Sequence, residues 1–259
     1  MTTPMVSRPA FDSARTKSLR TGLTLGTPQD LHIAAERLGV SEICNIYGAT
    51  EVYGNCCVTP SDWPLKQRAD CQGPPLPGVT IRIVDPETRA VRPQGQTGEV
   101  EVRGHVTPGY AGASASHNEA AFAAGGWFRT GDLAYLDEDG HFHFVGRDSE
   151  MIKRAGINVS PAEVEDVLQR HEAVAAAAVV GAPDARRGEA IVAFVVPAPG
   201  HQIVADALRA HCRSLLSSYK VPDRVELCDV LPVTRTGKLF KRDLKERARR
   251  LTAATEDMR

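Results

Sequence analysis

The chain has 259 residues, of which 42% are hydrophobic and 24% are charged, and its formal net charge is −1. This composition is typical of a globular protein with one or two domains. The near-neutral charge gives no electrostatic reason to expect a nucleic acid or an anionic membrane as a partner. The most apolar run, residues 173–182, is too short for a bilayer, which needs about 20 residues, so we expect no membrane span.

The six cysteines contain no C-x-x-C motif, and two of them, Cys56 and Cys57, are adjacent. This spacing argues against a metal or disulfide framework and favours a reducing compartment. The first residues also lack the apolar core of a signal peptide. We therefore expect a cytoplasmic protein.

Residues 11–74 predict an α/β arrangement after a loose tail at residues 1–10. The stretch PQDLHIAAERLGV predicts a helix, because Leu31, Ala34, Ala35 and Leu38 fall at helical spacing. The stretch SEICNIYG that follows predicts a strand that ends in a glycine turn. A helix followed by a strand is typical of an α/β sheet.

Residues 75–147 predict a β-rich region. The stretches VTIRIVD and GEVEVRG alternate apolar and polar residues, and AYLDEDGHFHFVG carries a strong hairpin signal at residues 139–140. In this hairpin, Phe142 and Phe144 should share one face, with His141 and His143 on the other. An H-x-H pair can bind a metal, but we favour two exposed strand histidines because no third ligand is apparent.

Residues 150–259 predict a compact α+β unit after a boundary at residues 146–150. Ser160, Pro161 and Glu163 predict a complete capping box at a helix start. The buried stripe of this helix should consist of Val164, Val167 and Leu168.

Further elements of this unit follow from its apolar patterns. AVAAAAVVG, EAIVAFVVP and RVELCDVLP predict strands. VADALRAHCRSLLSS predicts a helix with Val204, Leu208, Cys212 and Leu215 on one side. The basic run from residue 241 to 250 predicts a solvated helix face.

Four short segments carry chemical information: IYGATE (46–51), GWFRTGD (126–132), GRDSEMIKRAGINVSPAEVE (146–165) and LPVTRTGK (231–238). Each has an ordinary explanation when taken alone, such as a strand-end turn, a hairpin aspartate or a surface ion pair. Lys238 follows a glycine but lacks the spacing of a P-loop, so alone it would be an ordinary loop lysine.

Together, in this order, the four segments resemble the adenylate-forming superfamily of acyl- and aryl-CoA synthetases, peptide-synthetase adenylation domains and luciferases. The resemblance runs from about Phe11 to about Arg250, and MIKRAGINVSPAEVE is similar to the CoA synthetase version. It implies an α+β protein. Residues 1–147 would be the C-terminal portion of the large AMP-binding domain, with an α/β remnant at 11–74 and a β-rich subdomain at 75–147. Residues 150–259 would be the small mobile C-terminal domain.

The resemblance implies a reaction with two halves that uses ATP, Mg²⁺, a carboxylic acid and CoA. The acid first attacks the α-phosphate to give acyl-AMP, and the thiol of CoA then displaces AMP. Because two anions meet in the first half, catalysis depends on positioning and on positive charge. The resemblance implies that Lys238 bridges the carboxylate and phosphate oxygens.

The remaining roles also follow from the resemblance. Thr50 and Glu51 would be catalytic, with Glu51 holding Mg²⁺, and Ser149 would be the hinge, where the family usually has aspartate or lysine. The other nucleotide- or cofactor-binding positions would be Gly26, Thr27, Pro28, Tyr47, Gly48, Asp132, Arg147 and Gly156.

Among these positions, the resemblance implies that Asp132 accepts hydrogen bonds from the ribose hydroxyls with support from Arg147. Gly156 would leave room for the thiol arm of CoA, because it has no Cβ.

The resemblance covers only the C-terminal half of a family member, and the Ser/Thr/Gly-rich phosphate loop has no counterpart in the sequence. We therefore expect a half-enzyme that is active only with the missing half, including one supplied as a separate chain, and with apolar edges exposed around residues 29–47. The alternatives are a complete enzyme working alone, a piece of a peptide-synthetase-type adenylation domain, and a non-catalytic fragment that binds a nucleotide, a protein or itself.

Overall fold

The structure, a computed structural model, describes residues 5, 6, 10–233 and 239–256. The chain divides into two compact units, Met1–Asp148 and Ser149–Arg259. The described helices include none with the length and apolar character that a membrane crossing requires. Both units are mixtures of helices and sheets, as the sequence predicts.

The first unit begins with a three-stranded sheet in the order β1-β2-β3. The strands are β1 (Thr21–Thr24), β2 (Glu42–Ala49) and β3 (Gly54–Val58). β1 runs parallel to β2, whereas β3 pairs antiparallel with β2. The predicted helix is confirmed as α1 (Pro28–His32), which continues into a π-helical turn at Ile33–Arg37.

The apolar face of this helical segment explains its position in the unit. Leu31, Ala34 and Leu38 are buried as the spacing predicts, whereas Ala35 is only partly buried. Ala34 and Leu38 pack with Val40 and other residues in one apolar cluster.

β2 does not end in a glycine turn, so this prediction is wrong. Gly48 lies inside the strand, at a bulge that shifts the pairing between Tyr47 and Gly48. A Cβ on Gly48 would lie 1.8 Å from the backbone oxygen of Gly54, so only glycine permits this approach of β3. The chain turns two residues later, at the 3-10 turn Thr50–Val52.

The rest of the first unit is β-rich, as predicted. Its five-stranded sheet has the order β4-β5-β7-β6, with β8 paired to β7. The strands are β4 (Val79–Val84), β5 (Gly98–Gly104), β6 (Phe122–Ala123), β7 (Trp127–Leu136) and β8 (Phe142–Arg147), and the helices are α2 (Leu65–Asp70) and α3 (Ala115–Ala120). The predicted hairpin is confirmed as the antiparallel pair β7–β8.

The two histidines of this hairpin are not simply exposed, which corrects the expectation. The side chains of His141 and His143 are each 17% exposed, and both lie against Asp137. The distances to Asp137 Oδ2 are 3.3 Å from His141 Nδ1 and 2.9 Å from His143 Nε2. Asp137 Oδ1 accepts the backbone N–H groups of Asp139 and His141, so this aspartate organises the turn.

The second unit contains a five-stranded sheet in the order β10-β9-β12-β11, with β13 paired parallel to β12. The strands are β9 (Ile152–Arg154), β10 (Ile157–Val159), β11 (Val174–Asp184), β12 (Gly188–Pro197) and β13 (Arg224–Leu227), and the helices are α4 (Pro161–Gln169), α5 (Ala205–Leu215) and α6 (Lys241–Glu256). Helices α4 and α5 cover one face of β11 and β12, and α6 covers the other. This two-sided burial explains the nearly continuous apolar sequence of both strands.

Helix α4 confirms the predicted stripe of Val164, Val167 and Leu168, all of which are buried. The Ser160 hydroxyl accepts the backbone N–H of Glu163 at 3.5 Å. The Glu163 carboxylate, which a capping box would direct back to Ser160, instead accepts from Lys220 Nζ at 2.6 and 2.8 Å.

The predicted helix is confirmed as α5, in which Leu208 and Cys212 are buried, whereas the N-cap Val204 and the last residue Leu215 are 67% and 52% exposed. One further prediction needs correction. In α6, Leu244 and Ala248 are fully buried, so this basic helix is not simply a solvated face.

Candidate active site

The candidate site lies at the edge of the first sheet where two parallel strands end. The register pairs Thr21 with Glu42 and Thr24 with Asn45, so β1 and β2 run in the same direction, and β2 continues beyond the end of β1 to Ala49. Residues 26–28 follow β1, and residues 47–51 complete β2 and the turn after it. Ligands of α/β proteins commonly bind at such an edge.

The segment Gly26-Thr27-Pro28 forms the start of α1. Thr27 is the N-cap, and it exchanges hydrogen bonds with Asp30 in a capping box. A Cβ on Gly26 would lie 2.7 Å from Asp30 Oδ2, so glycine is needed for the cap to close. The cap thus fixes the backbone of this turn at the sheet edge.

The central contact of the site joins the first sheet to the second. The Tyr47 hydroxyl donates a 2.7 Å hydrogen bond to Asp132 Oδ2, and both residues are only 4% exposed. The Tyr47 ring stacks on Phe142 at 4.3 Å and lies 6.0 Å from the Phe144 ring. Both phenylalanines therefore share a face of β8, as the alternation predicts.

Burial and the neighbouring Asp132 carboxylate raise the pKa of Tyr47 well above its ordinary value. The phenol therefore stays protonated and keeps its role as a hydrogen-bond donor. A neutral donor of this kind holds the carboxylate without adding a second charge to the buried region.

Arg147 contacts the other oxygen of the Asp132 carboxylate. β7 and β8 place Asp132 directly opposite Arg147, and Arg147 Nε lies 3.1 Å from Asp132 Oδ1. The aspartate side chain is 5% exposed, whereas that of the arginine is 58% exposed. The carboxylate is thus buried but paired with a cation that extends into solvent. We call Tyr47, Asp132 and Arg147 the aspartate site.

Thr50 and Glu51 follow Tyr47 on the short 3-10 turn. Thr50 is exposed, and Glu51 is half-buried. Glu51 Oε1 accepts a 3.2 Å hydrogen bond from the Tyr110 hydroxyl, and its backbone oxygen accepts from the Thr107 N–H at 2.7 Å. Two contacts therefore anchor Glu51 to the loop that follows β5.

Gly156 lies in the two-residue turn between β9 and β10, in the second unit. Ala155 and Gly156 both have positive φ, +49° and +80°. No atom of the described chain lies within 4 Å of a Cβ built on Gly156. Within this chain, the positive φ favours glycine, and no atom of the described residues fills the space that a Cβ would take.

The structure thus brings together some of the predicted residues and leaves others apart. Tyr47, Asp132 and Arg147 are in direct contact. Gly26, Thr27 and Pro28 follow the end of β1, and Gly48, Thr50 and Glu51 lie at the end of β2 and in the turn after it. Ser149 is exposed at the start of the second unit, and Lys238 lies outside the described residues.

Sequence reasoning missed the residues that support the site. The sequence pattern identifies Phe142 and Phe144 only as hairpin residues, and it gives Tyr110 no role. Their signal is weak because each contact joins positions far apart in sequence. The tyrosine of the TPGY segment was the available signal for the Glu51 contact.

Comparison with known proteins identifies families and structures to which the chain is similar. The family described as AMP-binding enzyme matches residues 2–111, and the family described as AMP-binding enzyme C-terminal domain matches residues 163–238. The putative acyl-CoA synthetase YngI of Bacillus subtilis is 35% identical over 92% of this chain and 44% of its own length. A feruloyl-CoA synthase of Amycolatopsis is 38% identical over 94% of this chain and 49% of its own length.

Solved structures show the same relationship. ATP-bound MatB from Rhodopseudomonas palustris superimposes with a TM-score of 0.84 at 30% identity, over 95% of this chain and 48% of MatB. The chain belongs to the adenylate-forming, AMP-binding enzymes. It spans about half the length of the curated relatives that it matches.

Proposed function

We propose that the chain forms part of an AMP-forming acid–thiol ligase, which activates a carboxylic acid as acyl-AMP and transfers the acyl group to CoA. The observation that carries the proposal is the buried Asp132 carboxylate, held by Tyr47 and Arg147 in a strand pair packed against the carboxyl end of β2. The relatives named as acyl-CoA and feruloyl-CoA synthases support this reaction class.

In this proposal the aspartate site binds the ribose of ATP and of the adenylate. A carboxylate accepts hydrogen bonds from two adjacent hydroxyls, and the exposed Arg147 neutralises its charge from the solvent side. The adenine ring lies against the capped turn of Gly26, Thr27 and Pro28. That turn ends β1 beside the strand that carries Tyr47 and Gly48.

Thr50 and Glu51 act on the phosphates. Mg²⁺ is commonly bound by one or two carboxylates together with substrate phosphates, so Glu51 fits as a ligand. The contacts from Tyr110 and Thr107 support this role because they hold Glu51 in place. Thr50 is exposed next to it and donates its hydroxyl to the α-phosphate.

The second unit serves as the small mobile domain, and the first as the C-terminal portion of the AMP-binding domain. Lys238 supplies the positive charge that lets the acid carboxylate and the α-phosphate approach each other. Ser149 is the hinge, and Gly156 lies beside the thiol arm of CoA. The separation of two compact units at residues 148 and 149 supports this division.

Adenylate formation also needs a loop that cradles the phosphates, and these 259 residues contain no Ser/Thr/Gly-rich loop with a Lys-Gly ending. We propose that a further segment provides it and extends the first sheet beyond β1. The exposure of Leu19, Leu23 and Leu25, at 43%, 54% and 65%, supports a neighbour at this edge.

The test has two parts. The purified chain is titrated with AMP by calorimetry, and binding that is lost in Asp132→Ala is expected. The polypeptide that carries this chain is then assayed with ATP, Mg²⁺, CoA and a panel of acids for pyrophosphate and thioester.

Acid-dependent pyrophosphate release supports a ligase, whereas AMP binding without pyrophosphate from any acid supports the non-catalytic nucleotide binder. Pyrophosphate release without transfer to CoA points to another acceptor, as in a peptide-synthetase-type domain. Absence of AMP binding contradicts the assignment of the site.

A further inference from the structure

The second unit contains a largely buried charged cluster that the proposed chemistry does not use. Lys241 Nζ lies 2.9 Å from Glu150 Oε2 and 3.0 Å from Glu165 Oε1. The lysine side chain is 18% exposed, and those of Glu165 and Glu150 are 14% and 37% exposed. We call Lys241, Glu150 and Glu165 the lysine triad.

Each member of the lysine triad belongs to a different segment. Glu150 ends the 3-10 turn that contains Ser149, and Glu165 lies on α4. Glu165 Oε1 also accepts the backbone N–H of Val179 at 2.8 Å, which ties it to β11. Lys241 is the first residue of α6. One ammonium group therefore connects the hinge turn, the sheet and the start of the last helix.

The position of Lys241 argues that it serves this connection and not the helix itself. A cation at the first residue of a helix interacts unfavourably with the helix dipole. Burial alone would lower the pKa of Lys241, but the charges and hydrogen bonds of Glu165 and Glu150 outweigh burial and raise it. The lysine is thus charged, and the two carboxylates compensate for its loss of water.

We propose that Lys241 is a positioning residue that fixes the Lys238 segment relative to the hinge turn. This inference rests on the proposed function, because it deepens the roles given there to Lys238 and Ser149. Lys238 precedes Lys241 by three residues, so the chain between them spans at most about 11 Å. The anchor of Lys241 therefore limits where the Lys238 ammonium can reach. A misplacement of about 1 Å can cost about 100-fold in rate.

The functional test compares Lys241→Met with Lys241→Arg and with Lys245→Met, a lysine one turn further along α6. In the polypeptide that carries this chain, Lys241→Met should lower kcat for adenylate formation by about 100-fold. The KM for ATP should stay within about twofold, because the aspartate site is untouched. Thioester formation from supplied acyl-AMP should be retained, since that step does not use Lys238.

The controls separate positioning from simple loss of the fold. Lys241→Arg keeps the charge and should restore most of the adenylation rate, and Lys245→Met should behave as the unmodified protein. Glu150→Gln leaves the Glu165 pair in place and should cause a smaller loss than Lys241→Met. An unchanged adenylation rate in Lys241→Met, or an equal loss of both half-reactions in the folded variant, would overturn the inference.

A structural readout tests the same inference without any activity. In this chain, Lys241→Met should speed amide hydrogen exchange both in residues 148–152 and in residues 239–244, whereas Lys245→Met should not. Exchange that is unchanged in residues 148–152 contradicts the connection to the hinge turn. If the unmodified protein forms no adenylate from any acid, the proposed function fails, and the exchange result decides separately whether the lysine triad joins these segments.

Discussion

The aspartate site and the lysine triad are both built from partly buried ion pairs, but they expose opposite partners. In the aspartate site the carboxylate is buried, and its cation, Arg147, has a side chain that is 58% exposed. In the lysine triad the cation is 18% exposed and lies between two carboxylates that come from separate segments. The first arrangement holds one charge on a single strand pair, whereas the second joins three elements.

This difference indicates which ion pair is available to bind a ligand and which ion pair stabilises the fold. Arg147 can move in solvent at little cost, so a polar ligand can share the Asp132 carboxylate with it. Movement of Lys241 would leave two carboxylates close together without their cation, which is strongly unfavourable. The comparison supports the proposals of ligand binding at the aspartate site and of segment positioning by the lysine triad.

The largest expected effect concerns Lys238, to which the proposed function gives the positive charge for adenylation. Lys238→Ala should lower adenylate formation by about 100- to 1000-fold, the usual loss when a group that stabilises transition-state charge is removed. Thioester formation from supplied acyl-AMP should be largely spared. Separate assays of the two half-reactions check this, with Lys245→Ala as the control. Equal loss of both steps would contradict the role of Lys238.

Lys241→Met should be the most destabilising change in the lysine triad. It leaves two partly buried carboxylates without their cation, and we expect a loss of about 3 kcal/mol in the free energy of unfolding. Urea unfolding of the chain and of Lys245→Met provides the comparison. If both variants lose the same small amount, the triad does not hold the second unit together.

Tyr47→Phe should have a smaller effect, confined to the aspartate site. The stack on Phe142 remains, but the buried carboxylate loses its hydroxyl donor, at a cost of about 2 kcal/mol in the free energy of unfolding. Tyr53→Phe is the matched control, because Tyr53 is 69% exposed. Equal stability of the two variants would show that the hydroxyl of Tyr47 does not support Asp132.

The smallest expected effect is in the β7–β8 turn and depends on pH. Burial alone would raise the pKa of Asp137, but hydrogen bonds from His143 and from the His141 backbone hold it below its ordinary value of 3.8. A lowered carboxyl pKa contributes stability that is present above pH 3.8 and is lost as the pH falls through the folded-state value. Asp137→Asn should therefore cost about 1 kcal/mol at pH 7.

In acid unfolding experiments, this difference should disappear well below pH 3.8, whereas the exposed Asp139→Asn should show little difference at any pH. A difference in the free energy of unfolding between the unmodified protein and Asp137→Asn that persists in strong acid would show that the ionised Asp137 carboxylate is not its cause.

The sequence predicts the parts of the fold that depend on local patterns. Alternation identifies β4, β5 and the β7–β8 hairpin, and a serine–proline start identifies α4. The strands, the hairpin and the helix start need only neighbouring residues or a short turn, so physical rules at short range are sufficient. Asp132 and Arg147 are singled out only by the family resemblance, and the structure then places them opposite each other across one hairpin.

The remaining features depend on contacts between distant positions. Tyr47 and Asp132 are 85 residues apart, and Lys241 meets carboxylates at positions 150 and 165. The local sequence around Gly48 predicts a turn. A glycine is in fact required there because the backbone of Gly54 approaches it closely. Tertiary packing decides such cases, and a local pattern contains no information about the partner.

The central claim, that Asp132 holds the ribose, is tested most directly by calorimetry with two matched nucleotides. The chain and its Asp132→Ala and Asp139→Ala variants are titrated with AMP and with 2′,3′-dideoxy-AMP. The chain and Asp139→Ala should prefer AMP by about 1.5–3 kcal/mol, the value of hydrogen bonds to a charged acceptor, and Asp132→Ala should bind both nucleotides with equal, weaker affinity. Equal affinity of the unmodified chain for both nucleotides, or a preference that survives Asp132→Ala, would contradict the account.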